Sequence, residues 1–264
     1  MKAIYVAFVL CLVGHYSFSQ QAASKIPATI VLVHGAWSDS TAWNAITPVL
    51  RDKGHTVINV NLPGHGADNT SPANISMRLY VDEVKKAIGN RTDIVLVGHS
   101  MAGVIISQVA EEIPAQVKEL VYLAAFLPQD GQSLLSLAQN DKDAHLGKYL
   151  TVDKEHGLAI VSKEGITDAF LQDTPGNIVD FVIAHWKAEP LAPLATPVTL
   201  TNANFGSIRK AYIHTTEDHA VSYSAQIQMV KATPVKKTYT LHSSHTPFLS
   251  VPAKLADILL QESR

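Results

Sequence analysis

Cysteine is nearly missing from this chain. Cys11 is the single one in 264 residues, and it falls inside an N-terminal apolar run. If that run is removed, what remains can form no disulfide, no thiolate metal site and no thiol nucleophile. Charge is scarce too: charged residues make up 17% of the chain, below the usual share in soluble proteins. With 21 Lys and Arg against 23 Asp and Glu, the formal net charge is −2. No basic face is implied, so no nucleic acid is expected as a partner. Metal motifs such as His-x-His or His-Glu-x-x-His are absent, as is the G-x-G-x-x-G fingerprint of dinucleotide sites. No metal or cofactor is therefore expected. There is no internal repeat and no low-complexity tract.

Long hydrophobic runs are also lacking, with one exception. Ala3 to Gly14 is apolar over 12 residues, too short to span a bilayer comfortably. Lys2 precedes it and Ser17-Phe18-Ser19 follows, the layout of a secretory signal peptide cut after Ser19. A retained anchor is the alternative. Leu10 before Cys11 argues against a lipoprotein signal. The mature chain, 20–264, is expected to be secreted or periplasmic, with no stable membrane insertion. With apolar residues at 47%, it is long enough to bury one α/β core.

What is present is a strand–helix rhythm. Thr29 to Val33, Thr56 to Leu62, Ile94 to Val97, Val117 to Leu123, Arg209 to Thr215 and Lys237 to Leu241 read as strands. Most are near-continuous apolar runs, as in a parallel sheet covered on both faces. Helical spacing appears between them, over Trp43–Lys53, Met77–Ile88, Val104–Glu112, Tyr223–Val230 and Pro252–Gln261. The rhythm breaks between about Leu127 and Phe205, which reads as an irregular cap inserted over the C-terminal edge of the sheet. The expected architecture is a single α/β domain carrying that cap.

The strand at Ile94 runs into Val97-Gly98-His99-Ser100-Met101-Ala102-Gly103, a serine at the apex of a strand–turn–helix, or nucleophile elbow. Ala102 departs from the G-x-S-x-G form, with the glycine one position later. A serine hydroxyl needs a base, an acid to orient that base, and N–H donors for the developing oxyanion. Asp218 follows one late strand and His245 the next, both at C-terminal strand ends on the edge that carries Ser100. That edge is where open α/β sheets bind ligands. Glu217 and His242 are the rivals, and both read as solvated polar residues. Met101 offers one oxyanion N–H. The loop His34-Gly35-Ala36-Trp37 offers the second, from Ala36. His34 and His99 read as structural hydrogen-bonding residues rather than catalysts. Trp37, Phe126, Phe170, Phe181 and Trp186 are candidate lining residues for an apolar pocket under the cap.

These segments, with Leu123-Ala124-Ala125-Phe126-Leu127-Pro128 and Asn204-Phe205-Gly206, resemble the α/β-hydrolase superfamily. The likeness is to the branch of plant methylesterases, hydroxynitrile lyases and their bacterial esterase relatives. It implies an α/β-hydrolase fold with Ser100, Asp218 and His245 as the catalytic triad. Hydroxynitrile lyases of this branch carry a threonine and a lysine where this chain has Gly35 and Thr246, which favours the esterase side. The expected activity is hydrolysis of small to medium carboxylic esters through an acyl-enzyme on Ser100. A lyase or lactonase using the same triad, or a non-catalytic ligand-binding homologue, is the alternative.

Overall fold

A computed structural model describes Met1 and residues 27–264. The expected signal segment, 1–19, and its cleavage point after Ser19 lie outside the described residues, apart from Met1. In chain order the elements are β1 (Thr29–Val33), α1 (Thr47–Asp52), β2 (Thr56–Val60), α2 (Met77–Ile88), β3 (Ile94–His99), α3 (Ala102–Glu112) and β4 (Val117–Leu123). The intervening segment holds α4 (Leu134–Ala138), β5 (Leu150–Asp153), β6 (Leu158–Val161), α5 (Lys163–Phe170), α6 (Gly176–His185), β7 (Glu189–Pro190) and α7 (Leu191–Ala195). The chain closes with β8 (Arg209–Thr215), α8 (Tyr223–Ala232), β9 (Lys237–Leu241), α9 (Pro247–Ser250) and α10 (Pro252–Glu262). Among the described residues no helix is long and apolar enough to cross a membrane.

The main sheet has the order β2-β1-β3-β4-β8-β9, and every pair in it is parallel. Successive side chains of a strand point to opposite faces, and here both faces are buried. Val31, Val33, Ile94, Leu96, Leu120 and Tyr122 pack on one side, against Tyr80 and Val84 of α2 and Val104 and Ile105 of α3. Ile30, Leu32, Val95, Val97, Val121 and Ile213 pack on the other, against Trp43, Leu50, Leu255 and Leu259. This two-sided burial is why the strands read as unbroken apolar runs.

Two expectations are corrected. The helix expected over Trp43–Lys53 is split: a 3₁₀ turn at Ser40–Trp43 precedes α1. Pro48 lacks an N–H and is accommodated in the first turn of a helix, so α1 begins at Thr47. The cap is more regular than expected, because β5, β6 and β7 form a three-stranded antiparallel sheet. Strands this short leave too few alternations for a period to be read.

Two adjacent buried carboxyls give the fold a pH dependence. Glu119 on β4 is buried, with Arg209 Nη2 3.0 Å from its Oε2. Glu262 on α10 is buried beside it and takes Lys237 Nζ at 3.0 Å. Burial, together with the Glu262 carboxylate, pushes Glu119 up to about 7. The folded state then keeps a proton that the unfolded chain releases near pH ~4.3. The stability from that proton is full below the unfolded value and is lost as pH rises through about 7. The urea midpoint of Glu119→Gln is expected to rise relative to that of the parent as pH is raised from ~5 to ~8. Urea melts at the two pH values check this.

Candidate active site

Ser100 stands between β3 and α3 with φ +54°, a left-handed conformation that costs a residue with a Cβ roughly 1–2 kcal/mol. Backbone bonds hold it there. Its N–H donates to Leu123 O, and its carbonyl accepts from the N–H groups of Gly103 and Phe126, each at 3.1 Å. Two glycines allow the close approaches. A Cβ on Gly103 would sit 2.1 Å from the Phe126 carbonyl oxygen, and one on Gly35 would sit 2.8 Å from Ser100 Cβ. The crowded elbow position is therefore Gly103. Ala102 is fully buried as the first residue of α3, and its methyl is accommodated.

Asp218 and His245 meet at the same edge. His245 Nδ1–H donates to Asp218 Oδ2 at 2.8 Å, and both side chains are completely buried. Thr215 Oγ1 (2.8 Å) and Gln226 Nε2 (3.2 Å) share that oxygen, while the N–H groups of Ala220 (2.8 Å) and Val221 (2.9 Å) donate to Oδ1. All of these partners are donors, the complement of a carboxylate. With its Nδ1 proton committed to Asp218, His245 presents a lone pair at Nε2, which is buried and has no protein partner. Ser100 Oγ makes no hydrogen bond among the described residues. The N–H groups of Ala36 and Met101 likewise donate to no protein acceptor among the described residues.

The rival groups lie on the surface. His242 falls one residue past β9, not within it, and pairs with Glu217 at 3.1 Å, both well exposed. His34 and His99 are structural, as expected. The His34 ring accepts from Leu62 N–H at 3.1 Å through Nε2 and donates from Nδ1 to Gly35 O at 2.8 Å. Burial, aided by His65, lowers its pKa to about 3, so the ring is neutral. His99 Nε2–H donates to the His245 carbonyl at 2.9 Å, and burial holds His99 well below the ordinary imidazole range.

The candidate lining residues divide between two cavities. Trp37, Phe126 and Phe170 line an apolar cavity of about 300 Å³ together with Ser100, Met101 and Leu134. Phe181 and Trp186 line a smaller one, about 100 Å³, on the other side of Trp37 and Phe170. The cap is tied to the histidine loop here: Thr246 Oγ1 (2.8 Å) and Ser244 Oγ (3.1 Å) both donate to the Phe170 carbonyl.

A buried polar cluster was not anticipated from the sequence. Glu189 of the cap, fully buried, accepts from Trp37 N–H (2.9 Å), His65 Nε2 (2.8 Å) and the Tyr80 hydroxyl (3.1 Å). Trp37, adjacent to Ala36, is itself left-handed at φ +58°, so this carboxylate fastens the loop that carries Ala36. Burial lowers the pKa of His65, but the Glu189 carboxylate outweighs it and holds His65 above its ordinary value. The sequence signal was slight: Glu189 precedes Pro190 in a loop-like stretch, and its partners are 109 to 152 positions away. Glu189→Ala leaves His65 Nε2, the Tyr80 hydroxyl and the Trp37 N–H buried without their carboxylate partner. It is expected to cost about 3–5 kcal/mol of stability, read from urea unfolding at neutral pH.

Comparison with known proteins agrees with this architecture. The pattern of the alpha/beta hydrolase family matches residues 30–258. Three chloroplastic proteins of Arabidopsis thaliana named as methylesterases are similar, one of them 31% identical over 249 residues and 89% of this chain. They are longer, and the chain spans 63%, 56% and 56% of their lengths. The pyrethroid hydrolase of Sphingobium wenxiniae is 28% identical over 87% of this chain and 85% of its own. Among solved structures, polyneuridine aldehyde esterase superposes with a TM-score of 0.80 at 21% identity, over 90% of this chain and all of that one. An extracellular alpha/beta-hydrolase from a Paenibacillus species gives 0.76 at 24% identity, again over 90% and 100%. The chain belongs to the alpha/beta hydrolase family.

Proposed function

We propose that this chain is a serine carboxylesterase acting on uncharged esters of small to medium size. His245, oriented by Asp218, takes the proton of Ser100 as Oγ attacks the ester carbonyl. The Ala36 and Met101 N–H groups receive the oxyanion. As the tetrahedral intermediate collapses, His245 returns the proton to the departing alcohol. Water, deprotonated by the same imidazole, then hydrolyses the acyl-enzyme and frees Ser100. The observation that carries this reading is the buried, unpartnered Nε2 of His245, whose other nitrogen is held by Asp218 at 2.8 Å.

The cavity lining supports the substrate class. No lysine, arginine or histidine lines the larger cavity, so nothing there would neutralise a substrate carboxylate. Trp37 and Phe170 divide it from the smaller cavity, which suits an ester whose two arms lie on either side of the reacting carbonyl. Relatives named methylesterase and pyrethroid hydrolase favour ester cleavage. Thr246 is engaged with the Phe170 carbonyl, so the position that carries lysine in the resembled lyases offers no cation here. Secretion after cleavage at Ser19 completes the reading, supported by Lys2 and the apolar run behind it.

Ser100→Ala is expected to lower kcat about 10⁶-fold and Asp218→Asn about 10⁴-fold on p-nitrophenyl esters. A fluorophosphonate probe should label the parent and not Ser100→Ala. Neutral apolar esters should be turned over at least ~10-fold faster than carboxylate-bearing analogues. Parental hydrolysis by Ser100→Ala would overturn the mechanism, and a preference for anionic esters would overturn the substrate class. N-terminal sequencing of protein exported from an expressing bacterium should read from Gln20; a chain retained with Met1 would refute the cleavage.

A further inference from the structure

Three side chains that no sequence motif connects meet on the rim between cap and core. His145 precedes a short 3₁₀ turn at Leu146–Lys148, Asp168 lies on α5, and His219 follows Asp218. His145 Nδ1 is 2.9 Å from Asp168 Oδ2, and His219 Nδ1 is 3.1 Å from Asp168 Oδ1. The two imidazoles face each other, with ring centroids 4.0 Å apart and planes tilted by 36°. One nitrogen or oxygen from each residue lies within 4.8 Å of the other two. The backbone braces the arrangement, since His145 N–H donates to the His219 carbonyl at 2.8 Å.

We propose that His145, Asp168 and His219 form a binding site for a divalent transition metal of the zinc class, with a fourth position open to water. The donor set is the first argument. Two imidazoles and one carboxylate suit zinc, cobalt, nickel or copper, whereas magnesium and calcium favour all-oxygen shells. Spacing is the second. Ligand atoms ~2.0–2.2 Å from a tetrahedral ion stand roughly 3.3–3.5 Å from one another. The observed 2.9 and 3.1 Å contacts run one to each oxygen of Asp168, and one donor atom from each of the three residues lies within 4.8 Å of the other two, so side-chain adjustments of about an ångström or less bring the set around one ion. Each Nδ1 then binds the ion through its lone pair, and the proton it now gives to Asp168 moves to Nε2 by way of solvent.

The third argument is preorganisation with access. Each of the three side chains is about one-third exposed, so an ion can reach them without the cap opening. The Asp168 carboxylate is already in place, bridging the two Nδ1 atoms through its two oxygens. The histidine–carboxylate pairs elsewhere on the surface, His156 with Asp153 and His242 with Glu217, each bring one imidazole. A bound ion would tie α5 and the loop at His145 to the residue that follows Asp218, clamping the cap to the core.

The proposal does not depend on the hydrolytic reading, and its test reads binding directly. Full-length mature protein without a histidine tag is titrated with Co²⁺ and followed by visible absorption, and with Zn²⁺ and followed by thermal unfolding. Mg²⁺ serves as the control. The expected result is one equivalent of Co²⁺ with a tetrahedral visible spectrum. Tm should rise by about 5 °C when Zn²⁺ exceeds its Kd ~100-fold, with no response to Mg²⁺. His145→Ala and Asp168→Asn should each abolish both signals. Ser100→Ala and His156→Ala should bind as the parent does, which separates this site from the candidate catalytic centre and from surface histidines. His145→Ala alters a partly exposed side chain, so it remains informative if Asp168→Asn fails to fold. Absence of the spectrum and of the Tm shift in the parent, or their persistence in His145→Ala, would overturn the proposal.

Discussion

The left-handed backbone of Ser100 is the constraint around which the rest of this molecule is arranged. A side chain at φ +54° is strained in isolation, and it persists because its surroundings overdetermine it. Pairing of β3 with β4 positions Leu123 to accept its N–H, and the start of α3 supplies the Gly103 N–H for its carbonyl. The turn after β4 adds the Phe126 N–H. Because the glycines at 35 and 103 carry no Cβ, neighbouring backbone closes in to van der Waals distance on both sides of the serine. The result is a serine whose backbone is fixed at the edge of the sheet.

Two further loops depend on that edge. Asp218 is gripped by donors from β8, from its own loop and from α8, and it passes that rigidity to His245 through a 2.8 Å hydrogen bond. His99, next to the serine, holds the His245 backbone from below. The imidazole is thus fixed at both its ring and its main chain, which leaves Nε2 as its one free polar atom. Fixing a group before substrate arrives is how buried sites avoid reorganisation during reaction.

The cap does more than cover the site. Its Glu189 reaches under the first loop to hold Trp37, and the Phe170 carbonyl at the end of its α5 takes hydrogen bonds from both neighbours of His245. Asp168, also on α5, contacts the residue after Asp218. The loops carrying Ala36, Asp218 and His245 are therefore each fastened to the cap by a polar group. A change in the cap reshapes the cavities and also shifts the loops that face them.

Much of this was legible from local pattern. Buried parallel strands are continuous apolar runs, so β1, β3, β4 and β8 stand out, and Gly98-His99-Ser100-Met101 marks its own turn. Asp218 and His245 were legible because each follows a strand end, and their rivals Glu217 and His242 prove to be surface groups. The sequence by itself determined the sheet, the elbow and the order of its candidate partners, since these follow from periodicity and turn chemistry within a few residues. Tertiary structure alone decided the cap sheet, the Glu189 cluster and the meeting of His145, Asp168 and His219. The cap strands are too short to show a period, and the other contacts join residues 23 to 152 positions apart, where a hydrogen bond leaves no periodic trace in either segment.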